Sequence, residues 1–83
     1  MNASIEFRRR LGPGPDAQNC QWTFGCPDIF ELADGDFAII GSDITETSVG
    51  KLPPTAGCAP DERIVRIPRK LLVRAKGDIP DRV

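Results

Sequence analysis

Asp28-Ile29-Phe30-Glu31-Leu32-Ala33-Asp34-Gly35-Asp36-Phe37-Ala38-Ile39-Ile40-Gly41 is the stretch whose reading decides the fold. Two apolar, strand-favouring runs, Ile29 to Leu32 and Phe37 to Ile40, flank Ala33 to Asp36. Gly and Asp tolerate the positive φ that a tight hairpin turn needs, so the stretch predicts a β-hairpin at the centre of an antiparallel sheet. Alternation groups Phe30 with Leu32 and Phe37 with Ile39, and cross-strand packing of these four is the expected start of the core. Ile44 is expected to extend the second strand through a bulge at Gly41.

Outward from the hairpin, Ser4 to Leu11 also has strand period, with Ile5, Phe7 and Leu11 on one side and Glu6, Arg8 and Arg10 on the other. Arg9 falls on the apolar side, which marks this strand as an edge. Gly12-Pro13-Gly14-Pro15-Asp16 breaks regular structure. Ala17 to Pro27 has no clear period and reads as irregular, with Trp22 and Phe24 spaced to share one face of a short extended piece. Thr45 to Pro60 is a long connection containing Pro53-Pro54. Glu62 to Ile67 returns to strand character through Ile64, Val65 and Ile67. Pro68 suits the first turn of a helix, and Arg69 to Lys76 holds good helix formers ending at Gly77. Leu71, Leu72 and Ala75 fall on one face of that helix. Residues 1–3 and 78–83 are expected to fray.

The expected architecture is mainly β within the α+β class: a three- to four-stranded antiparallel sheet, the Asp34-Gly35 hairpin at its centre, and one short C-terminal helix. All 83 residues make one small domain. A chain this short buries only roughly 60 to 65% of its unfolded surface, so its core is thin. Hydrophobic residues at 40%, charged residues at 28% and a formal net charge of -1 exclude disordered and fibrous classes. No apolar run approaches the roughly 18 to 20 residues needed to span a bilayer, and arginines stand where a signal peptide would be apolar. The expectation is a cytoplasmic protein without membrane contact.

Charge is segregated along the chain. No basic residue lies between Arg10 and Lys51, while Asp16, Asp28, Glu31, Asp34, Asp36, Asp43 and Glu46 all do. After Glu62 the sign reverses through Arg63, Arg66, Arg69, Lys70, Arg74 and Lys76, with no acid until Asp78. Together with Arg8, Arg9 and Arg10 this makes two basic blocks. If they share one surface, Arg8, Arg9, Arg10, Arg63, Arg66, Arg69, Lys70 and Arg74 form a face able to contact a phosphate backbone or an acidic protein. The competing reading pairs them with the acidic hairpin across the sheet. A near-zero net charge and aromatics that all precede the main basic run place nucleic-acid binding second to protein binding.

Other chemistries find little support. Cys20, Cys26 and Cys58 are an odd set that permits at most one disulfide, Cys20 with Cys26 or Cys26 with Cys58. As three zinc ligands they lack the usual two-residue spacing, and the chain has no His. Gly50-Lys51 is followed by Leu52, not Ser or Thr, so there is no phosphate loop, and Asp34-Gly35-Asp36 lacks the spacing of a calcium loop. Carboxylates abound, but none sits in a recognisable acid–base motif. No enzyme activity and no cofactor are expected.

Cys26 to Gly41, Leu52-Pro53-Pro54 and Ile64 to Leu72 together resemble a group of small actinobacterial, Streptomyces-type proteins encoded beside helix-turn-helix regulators of development or antibiotic production. The resemblance implies an accessory or regulatory, antitoxin-like role through contact with another protein such as a transcriptional regulator; the thin core separately makes a homodimer an expected partner state. Ile67-Pro68-Arg69-Lys70-Leu71-Leu72 is also similar to the strand, Ile-Pro, short-helix element of AbrB-type DNA-binding dimers.

Overall fold

The computed structural model describes residues 4–13 and 26–83. The strands are β1 (Phe7–Arg10), β2 (Asp28–Leu32), β3 (Phe37–Ile40), β4 (Ser42–Asp43) and β5 (Val65–Arg66), and the helices are α1 (Thr45–Ser48) and α2 (Arg69–Ala75). Short 3-10 turns, Val49–Lys51 and Lys76–Asp78, follow each helix. β1, β2 and β3 form an antiparallel sheet in that order, and β4 pairs with β5 in a separate two-stranded ribbon. The architecture is a small α+β fold with two sheets, not one sheet of three to four strands with a single helix.

The hairpin forms where expected. Leu32 N donates to Asp36 O at 2.8 Å and Gly35 N to Leu32 O at 3.0 Å, which closes a three-residue loop, Ala33-Asp34-Gly35. Gly35 takes φ +97°, a left-handed conformation that side-chain-bearing residues rarely adopt. The Asp34 carboxylate caps the turn by accepting from Asp36 N at 2.9 Å.

That loop length sets the register, and the register corrects the expected core. Phe30 stands opposite Ala38 and Glu31 opposite Phe37. Phe30 and Leu32 therefore share a face with Ala38 and Ile40, whereas Phe37 and Ile39 lie on the other face with Ile29 and Glu31. The four residues expected to nucleate the core do not meet, because one residue more or less in a turn sends every side chain to the opposite face.

β1 carries a second correction. Phe7 pairs with Leu32 but Arg9 already pairs with Glu31, so Arg8 is an extra residue in the ladder. The bulge puts Phe7 on the Phe30 face, where the two rings meet edge to face with centroids 5.1 Å apart. Leu11 stays on the Ile29 face, and its amide donates to Ile29 O at 2.9 Å. Ile5, Phe7 and Leu11 thus do not form one apolar side. Arg9 does lie on the core side of an edge strand.

Leu11, Ile29, Leu71 and Ala75 form the core among the described residues, with Ile67 packed against it. Burial of each large aliphatic member contributes about 1.5–3 kcal/mol. Pro68 precedes α2, where its fixed φ of -62° aims the chain into the helix. Leu71 and Ala75 are one turn apart and both face the sheet, whereas Leu72, expected beside them, is 49% exposed.

β3 is not continued to Ile44. At Gly41 an added Cβ would lie 2.5 Å from Arg66 O and 2.9 Å from Ile67 Cγ2, so only glycine lets the β5 chain cross so close. β4 and β5 then pair as their own ribbon. The connection after it is also more regular than expected, because Thr45 to Lys51 is helical. Its start is tied down by Ile44 N to Ile64 O at 2.9 Å and by Ile64 N to the Thr45 hydroxyl at 2.8 Å. Asp78, at the start of the segment expected to fray, accepts from Gly12 N through its carboxylate at 2.7 Å and from Arg9 through its carbonyl at 2.8 Å. No helix among the described residues is long and apolar enough to cross a membrane.

Candidate interaction surface

The first basic block points to both faces of the sheet and meets the acidic hairpin there. On the core face, Arg9 Nε lies 2.7 Å from Glu31 Oε1, and its guanidinium also reaches Asp78. On the other face, Arg10 grips Asp28 through Nε and one terminal nitrogen at 2.9 to 3.1 Å and stacks over the Phe30 ring at 5.2 Å. Arg8 lies 3.8 Å from Glu31. Sequence separation hides these pairs, which the antiparallel ladder creates by setting Arg9 opposite Glu31 and Arg10 opposite Phe30.

The second block is differently placed. Arg63 lies 3.9 Å from Asp43, a long and exposed pair. Lys70 has an interaction of its own. Among the described residues, no carboxylate lies within ion-pair distance of Arg66, Arg69 or Arg74. Arg8, Arg9 and Arg10 are thus engaged by carboxylates, whereas Arg66, Arg69 and Arg74 have no such partner among the described residues.

The Asp43 carboxyl is held below its ordinary pKa, first by the Thr45 hydroxyl at 2.7 Å and then by the Thr45 amide at 3.0 Å, with Arg63 adding a smaller push in the same direction. This arrangement starts α1 and joins it to β5 through Ile64; it supplies no acid–base pair.

Cys26 is disulfide-bonded and Cys58 is a free thiol, which removes the Cys26 to Cys58 alternative. Cys20, with Trp22 and Phe24, lies outside the described residues. A bonded Cys26 offers no thiolate, so the three-cysteine zinc set is not assembled, and no group of three His, Cys, Asp or Glu among the described residues is arranged for a metal. An open cavity of about 670 Å³ lies between the end of β3 and the β5–α2 junction, lined by Ile40, Gly41, Ile44, Arg66, Ile67 and Pro68. Among the described residues that line it, Arg66 is the charged one.

The feature missed by pattern reading is the outer edge of β3. Among the described residues β3 pairs with β2 alone. Phe37, Ile39 and Ile40, assigned to the core or the strand pairing by their hydrophobicity, are 44 to 46% exposed. The loop length of Ala33-Asp34-Gly35 could have shown which residues of β3 face Ile29, whereas an edge position depends on how the rest of the sheet assembles.

No protein-family model matches the chain, and neither a curated protein nor a solved structure shows significant similarity to it.

Proposed function

We propose that this chain is a non-enzymatic protein-interaction module, an accessory or regulatory subunit, whose contact surface is the exposed edge of β3. The observation that carries the reading is the β3 edge, which has no partner strand among the described residues and leaves Phe37, Ile39 and Ile40 nearly half-exposed. An exposed apolar strand edge binds another chain by adding main-chain hydrogen bonds to apolar contact. The ion pairs of Arg9 and Arg10 support the same reading, because they leave the first basic block committed within the fold.

A second reading, nucleic-acid binding, draws on Arg66, Arg69 and Arg74, which have no carboxylate partner among the described residues, with Arg63 and Lys70 beside them. On that reading duplex affinity falls steeply with salt and drops in Arg66→Glu/Arg69→Glu.

Capture from the protein's native lysate, with and without nuclease, separates the two. The module reading expects a protein retained after nuclease and lost from Ile39→Lys. Capture that disappears with nuclease and is unchanged in Ile39→Lys overturns it.

A further inference from the structure

The two edges of the three-stranded sheet are built differently. β1 is Phe7-Arg8-Arg9-Arg10, with a bulge at Arg8 and charge along its length, the devices that stop an edge from pairing further. β3 is Phe37-Ala38-Ile39-Ile40, with no charge, no proline and no bulge. The hairpin also fixes which backbone groups are available. Leu32 N donates to Asp36 O, so the ladder bonds recur at Phe30 with Ala38 and at Asp28 with Ile40, two residues apart each time. The N–H and C=O groups of Phe37 and Ile39 therefore point away from β2.

We propose that β3 pairs antiparallel with β3 of a second copy of this chain, about a twofold axis at Ala38, to make a continuous six-stranded sheet. This rests on the reading of the β3 edge as the contact surface and names its occupant. Three features favour a second copy. Antiparallel pairing centred on Ala38 sets Phe37 opposite Ile39 of the second copy, and Ile39 opposite Phe37. Outward backbone groups then meet outward backbone groups, and two exposed apolar pairs form on one face. On the other face the central pair is Ala38 with Ala38, the smallest side chain in the strand, where strands joined without ladder bonds approach closest. The charges are also complementary. The same register sets Asp36 opposite Ile40, so the acidic turn that precedes β3 comes to the end of the second copy's β3, next to which Ser42 pairs with Arg66. The acidic turn is thus on the side of the second copy's Arg66, which has no carboxylate partner among the described residues, and the arrangement occurs twice by symmetry.

Sedimentation velocity over about 1 µM to 1 mM chain tests the pairing, a range suited to an interface of one short strand. Two variants are designed to spare the fold. Ile39→Pro removes an N–H that does not serve the β2 ladder, and Ile39→Lys charges a side chain already exposed. Wild type is expected to dimerise as concentration rises. Both variants should raise the dissociation constant by at least about tenfold, and Arg66→Glu should weaken pairing until combined with Asp34→Arg. In wild type, amide exchange at Phe37 and Ile39 should slow with concentration, a readout that needs no variant. A wild type that stays monomeric at about 1 mM, or a dimer indifferent to both Ile39 variants, overturns the proposal. If that monomer still loses its lysate partner in Ile39→Lys, the module reading stands and the self-pairing alone falls.

Discussion

Arg10 and Asp28 face each other on the surface of β1 and β2 away from α2, with the guanidinium 2.9 to 3.1 Å from a carboxylate that is only 6% exposed. The same carboxylate accepts from Ile29 N at 3.0 Å. Among the described residues Arg10 is thus the cation that compensates this buried acid, and β1 is fastened to the hairpin by a charge pair as well as by its ladder.

Arg10→Met keeps the aliphatic stem but leaves the carboxylate without its cation. We expect a loss of about 1.5–3 kcal/mol, below the full cost of breaking a buried pair because the Arg10 side chain is half exposed. Urea denaturation with Arg8→Met as comparison measures it. Equal, small losses in the two variants would show that the Arg10 pair carries no special weight.

Gly41→Ala should cost at least about 2 kcal/mol, because its Cβ would lie 2.5 Å from a backbone oxygen that cannot turn aside. Gly50 has open space around it, so Gly50→Ala in the turn after α1 should leave stability within about 0.5 kcal/mol or raise it. Thermal melts of the pair decide this, and an unchanged Gly41→Ala midpoint would refute the close crossing.

Ile29→Ala should remove about 2–4 kcal/mol, enough to unfold much of a population this marginally stable. Leu72→Ala, at an exposed position on α2, should cost under about 1 kcal/mol. If the two losses are alike, the core is centred elsewhere.

The Asp43 carboxyl titrates below its ordinary value in the folded chain, Thr45 being the main cause. A depressed folded pKa stabilises the fold fully above the unfolded value and ceases to as pH falls through the folded value. Stability from the α1 start should therefore be present at neutral pH and decline only in the acid range. By NMR titration, Thr45→Val should move the Asp43 midpoint up; an unmoved midpoint would reject the hydroxyl as its cause.

The local elements were legible in the sequence because local rules write them. Ala33-Asp34-Gly35-Asp36 between apolar runs specifies a hairpin, Pro68 followed by Arg69 to Ala75 specifies a short helix, and Arg9 among apolar alternates marks an edge strand. What Phe30, Phe37 and Ile39 pack against was not legible, since in a strand one residue of loop length reverses the faces and both faces of this hairpin are apolar. The pairing of Arg9 with Glu31 and of Arg10 with Asp28 was not legible either, because a single bulge at Arg8 sets it across a long sequence separation. Composition determined that the molecule is small, thin-cored and charge-segregated. Only the tertiary structure decided which charges neutralise each other and that, among the described residues, the apolar strand β3 stands at the rim.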